Sequence, residues 1–166
     1  MGLMKTMMVA AIAGGVALGA QAQTGVPMKR IAEPKALFST AVWAGDTLYV
    51  AGQTASPVTP ADAAKGTPAV YGDTKEQTMS VLTKIQGILK EQGLGMGDVA
   101  QMTVLLVGDP ANGGKMDRAR MNEAYSTFFG TAEQPNRPTR VAMEVVALAV
   151  PGVLVEIVVV AVRSSK

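Results

Sequence analysis

Apolar positions along this 166-residue chain recur at two different spacings, every second residue in some stretches and every third or fourth in others, and the changes mark its elements. Residues 38–42 and 46–51 alternate around Ala44-Gly45-Asp46, which predicts two strands joined by a hairpin-like turn. Before them, residues 23–37 carry Pro27 and Pro34 and read as a linker followed by an edge segment. Residues 54–72 hold Pro57, Pro60 and Pro68 and predict an irregular excursion. Asp73-Thr74-Lys75-Glu76 is then a capping box, in which the Asp73 side chain accepts from the backbone of Glu76 while Glu76 reaches back. Val81, Leu82, Ile85, Ile88 and Leu89 follow at helical spacing, and Gly93 is placed to end that helix. A strand over 99–107, a polar Gly-rich loop over 109–114 and a second helix over 116–129 come next. In that helix Met121, Tyr125 and Phe128 form the inward stripe, and Gly130 stops it. Strands over 139–148 and 153–162, joined by Ala149-Val150-Pro151-Gly152, complete the order β-β-α-β-α-β-β, an α+β domain.

Two amphipathic helices can cover only one face of such a sheet, yet the last strand is apolar on both sides. Association with further copies of the chain is therefore expected. Inside that strand, between Val155 and Ile157, stands a single carboxylate, Glu156. A charge there has to be paired, hydrated in a cleft or neutralised, which makes Glu156 a candidate acid, base or water anchor. The plainer reading is an edge-strand Glu that blocks pairing with other strands.

Composition removes many chemistries. The chain has no His and no Cys, which excludes a Cys/His zinc site, a Ser-His-Asp or Cys-His triad, haem attachment and disulfide staples. Ser39, Ser56 and Ser80 therefore lack an activating imidazole. Gly93-Leu94-Gly95-Met96-Gly97 follows a helix rather than opening one, so it is a helix stop and not a phosphate cradle. The net charge of +2 includes Lys5, and no basic stripe alternates with aromatics, so no nucleic-acid partner is expected.

Lys5, the apolar and small residues of 7–18, and Ala20-Gln21-Ala22 have the three parts of a secretory signal peptide. The stretch is shorter than a membrane-spanning helix. Cleavage after Ala22 would leave a single domain over 23–166, periplasmic or secreted, with no stable membrane association.

Pro138-Thr139-Arg140 opens the penultimate strand, and Arg140 and Glu156 together describe a site for a small carboxylated molecule undergoing hydrolysis. A guanidinium fork binds a carboxylate through two parallel hydrogen bonds, and a poised Glu holds or deprotonates a water. Residue types alone leave two arrangements open: direct neighbours, or residues that face one another across a subunit boundary. They equally allow a structural ion pair from Arg140 to Glu144 or Glu156.

The chain resembles the Rid family of imine and enamine deaminases over residues 34–163. The resemblance runs through Tyr49-Val50-Ala51-Gly52-Gln53, Asn122-Glu123-Ala124-Tyr125-Ser126-Thr127-Phe128-Phe129, Arg137-Pro138-Thr139-Arg140 and Pro151-Gly152-Val153-Leu154-Val155-Glu156-Ile157. It implies a chorismate-mutase-like α+β fold, a mixed sheet with two helices on one face, assembled as a homotrimer around a barrel-like centre. It also implies sites between subunits where Arg140 binds the substrate carboxylate and Glu156 positions the attacking water. Phe38, Ala51, Gly52, Asn122 and Ala142 match residues that line the family's pocket; Phe38, Ala51 and Ala142 replace a common Tyr, Ser and Cys there. The implied activity converts 2-imino or 2-enamino acids to 2-keto acids and ammonium, without metal or organic cofactor. A non-catalytic trimer that binds small carboxylated metabolites, or a protein holdase, is the alternative.

Overall fold

A computed structural model describes residues 25–164, so the expected signal peptide and its cleavage point lie outside the described residues. Six strands, β1 (Met28–Ile31), β2 (Ala41–Ala44), β3 (Thr47–Thr54), β4 (Val99–Leu106), β5 (Thr139–Glu144) and β6 (Val155–Val162), form one sheet in the order β1-β2-β3-β6-β4-β5. All neighbours are antiparallel except β4 and β5, which run parallel because a helix crosses between them. The sheet is therefore mixed.

Helix α1 (Thr74–Glu91) forms as its sequence dictates. Asp73 accepts from the backbone of Glu76, Glu76 reaches back to Asp73, and Lys90 sits in the last turn, where a cation suits the helix dipole. Val81, Leu82, Ile85 and Leu89 are wholly buried against Leu48, Val50, Val104, Val155, Ile157 and Val159 of the sheet. Burial of this kind contributes roughly 1.5–3 kcal/mol per side chain. Helix α2 (Arg118–Tyr125) lies beside α1 on the same face and buries Met121 and Ala124.

Gln77 joins α1 to the sheet. Fully buried, it donates to the carbonyls of Gly72 and Gly152 and accepts from the backbone of Leu154 at 2.8 Å, so the turn ahead of β6 is fixed to the helix. Every hydrogen-bonding atom of that amide is used, which is the condition under which a buried amide can be retained. The start of the strand that carries Glu156 is set by this contact.

Several boundaries differ from the sequence reading. Phe38 stands in the loop before β2, not in the strand, and is mostly exposed. Strand β5 ends at Glu144, because its only partner β4 ends at Leu106; Val145 makes a last bond to the Leu106 carbonyl, and Val146 is fully exposed beyond it. Helix α2 stops at Tyr125 rather than Phe129. The Ser126 and Thr127 hydroxyls bond back to the carbonyls of Glu123 and Ala124, offering the backbone an alternative to another helical turn.

The face of the sheet away from the helices is uncovered in the single chain. Tyr49, Val141, Met143 and Val162 are exposed there, beside the partly buried Val158 and Val160.

Candidate active site in two halves

Arg140 and Ala142 share the helix face of β5, because their register partners Met102 and Val104 are buried beneath the helices. There the Arg140 guanidinium meets one turn of α2. Its Nη2 donates to Asn122 Oδ1 at 2.8 Å, its Nη1 approaches Met121 Sδ at 3.6 Å, and its Cζ lies 4.4 Å from the centre of the Tyr125 ring. Tyr125 in turn stacks on Phe129, ring centres 4.8 Å apart. Burial pushes the Tyr125 phenol above its ordinary value, although the neighbouring Arg140 and Arg137 guanidiniums pull the other way, so it stays neutral across physiological pH.

No carboxylate pairs with Arg140 among the described residues. The ion pair to Glu144 or Glu156 that the residue types allowed is not made. Of the five N–H groups of the guanidinium, two are directed at α2, and the others make no hydrogen bond among the described residues.

Glu156 lies in β6, which is central, flanked by β3 and β4. It is therefore not an edge-strand gatekeeper. Its register partner in β4 is Leu105, and it projects from the face opposite the helices, where it is partly buried. Across the other edge, β3 bulges between Val50 and Gln53, and Glu156 folds over the backbone of Gly52 so closely that a Cβ at Gly52 would overlap the carboxylate. Glu156 has neither a salt bridge nor a hydrogen-bond donor among the described residues. Ala51 adjoins Gly52, and its backbone N–H donates to the Thr40 carbonyl, which holds the loop that carries Phe38 at this end of the sheet.

The residues matched to the family's pocket thus form two groups. Asn122, Arg140 and Ala142 lie on the helix face at the β5 edge, whereas Gly52 and Glu156 meet at the bulge of β3 with Ala51 beside them, and Phe38 is in the loop that Thr40 ties to Ala51. Arg140 and Glu156 are separated by two strand spacings and three residues of register, about 14 Å between their Cα positions, and their side chains leave opposite faces of the sheet. Within one chain the two cannot act on one small substrate. Of the two arrangements left open by the sequence, direct neighbours is excluded.

The sequence places Met121 and Tyr125 in the inward stripe of the second helix, and the structure adds a second role, since both rest against Arg140. Their spacing from Asn122 was the available signal: residues 121, 122 and 125 share one side of a helix.

A cleft of about 460 Å³ lies elsewhere, between Tyr71, Asp73, Asp109, Pro110, Gly152 and Leu154. Asp109, only 2 % exposed, has a structural task beside it. Burial pushes its carboxyl up, but hydrogen bonds from the Thr74 hydroxyl at 2.7 Å and from the backbone of Ala111 and Thr74, helped by Arg120, outweigh this and hold it below the ordinary 3.8. Asp109 thereby ties the loop after β4 to the first turn of α1.

A mixed sheet with two helices on one face, and with Arg140 and Glu156 on opposite faces, defines a small α+β protein. Residues 28–163 match the family model described as Endoribonuclease L-PSP, and the chain belongs to this family, also called YjgF or Rid. The resemblance drawn from the sequence therefore holds. A RutC family protein of Pyrococcus horikoshii is 38 % identical over 125 residues, covering 75 % of this chain and 86 % of that one. TdcF of Escherichia coli K12, provisionally named a reactive intermediate deaminase, is 31 % identical over 121 residues, covering 73 % and 82 %. Among solved structures, a protein of unknown function from Pseudomonas aeruginosa superposes with a TM-score of 0.65 at 29 % identity, covering 82 % of this chain and 93 % of that one. A YjgF family member from Neisseria meningitidis gives 0.64 at 22 % identity, covering 86 % and 100 %, a likeness of fold alone.

Proposed function

We propose that this protein is a hydrolytic deaminase of 2-imino and 2-enamino acids, working as a homotrimer with Arg140 from one subunit facing Glu156 from the next. The observation that carries the reading is the Arg140 guanidinium, held in place by Asn122 and Tyr125 with no carboxylate of its own. Family membership and the naming of TdcF support a general deaminase role. The uncovered sheet face, with Tyr49, Val141 and Met143 exposed, supports assembly, and assembly is what would bring the two groups of site residues together.

In this mechanism Arg140 binds the substrate carboxylate and fixes the C=N carbon next to it. Glu156 takes a proton from water as the oxygen attacks that carbon, then returns it to the nitrogen of the tetrahedral adduct. The substrate enters as the protonated imine, so the adduct carries a hydroxyl and an ammonio group. The C–N bond breaks as the hydroxyl proton passes through Glu156 to the departing ammonia, which leaves as ammonium with release of the 2-keto acid. An enamino acid enters after tautomerising to the imine. Phe38, Ala51 and Ala142 leave an apolar lining around the substrate's side chain. An endoribonuclease would be expected to carry a basic track for the phosphate backbone, whereas the sequence has no cluster of Lys and Arg interleaved with aromatics.

The test is to generate imines of several amino acids with an amino-acid oxidase, with catalase present, and to measure ammonium and keto-acid release. Release faster than in buffer alone is expected for the wild type; equal rates for every imine would overturn the reading. Of the non-catalytic alternatives, a binder of small carboxylated molecules would bind keto acid and depend on Arg140 but be indifferent to Glu156→Gln, and a holdase acting through its surface would need neither residue. Export with cleavage after Ala22 is part of the proposal, and the intact mass of the protein from periplasmic extracts should begin at Gln23.

A further inference from the structure

We propose that Tyr125 is a positioning residue: its ring, backed by Phe129, sets the direction in which Arg140 offers its free N–H groups to a carboxylate. The proposal rests on the reading of Arg140 as the carboxylate-binding group. An unpaired Arg on an edge strand has four rotatable bonds and would sample many orientations, so a fork-to-fork contact with substrate would cost the entropy of ordering it. Here that cost is met in the empty protein. Asn122 fixes one end of the guanidinium and Met121 touches the other, but those are contacts in single directions. Tyr125, whose ring face lies against the guanidinium with Cζ 4.4 Å from its centre, is the broad contact that holds the group between those two, and it leaves the N–H groups not directed at α2 to an anion.

The phenol itself has no part in this. The Tyr125 hydroxyl makes no hydrogen bond among the described residues, whereas the ring is held by its stack on Phe129. What matters is the π face, so Phe should replace Tyr125 and Leu should not. Such a pattern separates positioning from both hydroxyl chemistry and simple filling of space.

The experiment uses the full-length native assembly. The Arg140 Nε–H resonance is followed by NMR in the ligand-free wild type, Tyr125→Phe and Tyr125→Leu, and the affinity for 2-oxobutanoate is measured by calorimetry in the same three proteins. The wild type and Tyr125→Phe should show Arg140 shifted by the aromatic ring current. Tyr125→Leu should lose that shift and bind 2-oxobutanoate about tenfold more weakly. Where Tyr125→Leu does not fold, fluorinated phenylalanines at position 125 keep the shape and withdraw π density, and affinity should then fall stepwise with fluorine number. An unchanged Arg140 resonance, or affinity within twofold of wild type in the Leu or fluorinated proteins, would overturn the proposal. If the wild type neither binds the keto acid nor releases ammonium, the deaminase reading falls instead, and the ring-current shift alone decides whether Tyr125 holds Arg140.

Discussion

Glu156 folds its carboxylate across the backbone of Gly52, into the space a side chain at that position would need. The contact is with the far end of a flexible side chain, and Gly52 does not have a positive φ, so Ala can be accommodated there if the carboxylate moves. Gly52→Ala should therefore fold with a melting temperature close to wild type while losing about 100-fold in kcat, the scale expected when a catalytic group shifts by about 1 Å. Thermal melts and imine turnover on the same sample check this. Wild-type turnover would mean that the resting position of Glu156 is irrelevant to the chemistry.

Glu156→Gln keeps the shape and removes the base. Because Glu156 has no ion-pair partner among the described residues, stability should change by less than about 0.5 kcal/mol, while kcat falls at least about 100-fold and keto-acid affinity is kept. Arg140→Lys should do the reverse, losing roughly 10- to 100-fold in kcat/KM chiefly through KM, since an ammonium cannot supply two parallel bonds. Steady-state kinetics of the two variants side by side would show whether their effects separate in this way.

Asp109 gives a pH dependence to stability with a definite sign. Its carboxyl in the folded chain lies below the 3.8 it would have unfolded, so its contribution is present in full above about pH 4 and is lost as the pH falls through the folded value. Asp109→Asn should cost about 1–3 kcal/mol at pH 7, because one oxygen becomes an NH2 that turns donors either toward the N–H and hydroxyl of Thr74 or toward the N–H of Ala111, while the other oxygen still accepts. The gap to wild type should narrow below pH 4. Urea titrations at pH 7 and pH 3, at one protein concentration, measure it; a gap independent of pH would show that the charge is not what stabilises.

Val158 lies on the uncovered face of the central strand, opposite Thr103. Val158→Asp should leave the helix-side core intact but place an unpaired charge in the contact between copies, a cost of roughly 3–5 kcal/mol. Native mass measurement should show three chains in the wild type and a dissociated or unfolded variant without turnover. An active wild-type monomer would refute the shared-site model.

Local chemistry made much of this fold legible. The Asp73/Glu76 box and the five-residue apolar stripe located α1, since its capping and its periodicity depend only on neighbours in sequence. The errors fall where distant residues decide. Val145 to Leu148 look able to continue β5, but a strand lasts only as long as its partner, and β4 ends at Leu106. The short β1 has a basic, exposed sequence and exists only because β2 offers it an edge. Residue type and position single out Arg140 and Glu156 as candidates, but do not state their placement on opposite faces. That depends on β6 inserting between β3 and β4, and on a parallel β5, neither of which any local pattern states.

That placement also has a genetic meaning. If every catalytic centre takes its guanidinium from one chain and its carboxylate from another, two dead alleles need not be dead together. Mixing an Arg140 variant with a Glu156 variant, unfolding and reassembling them, would by random association around a closed ring reunite an intact Arg140 with an intact Glu156 at about one boundary in four. Neither parent could do so alone, and recovered turnover in the mixture would count subunit boundaries rather than subunits.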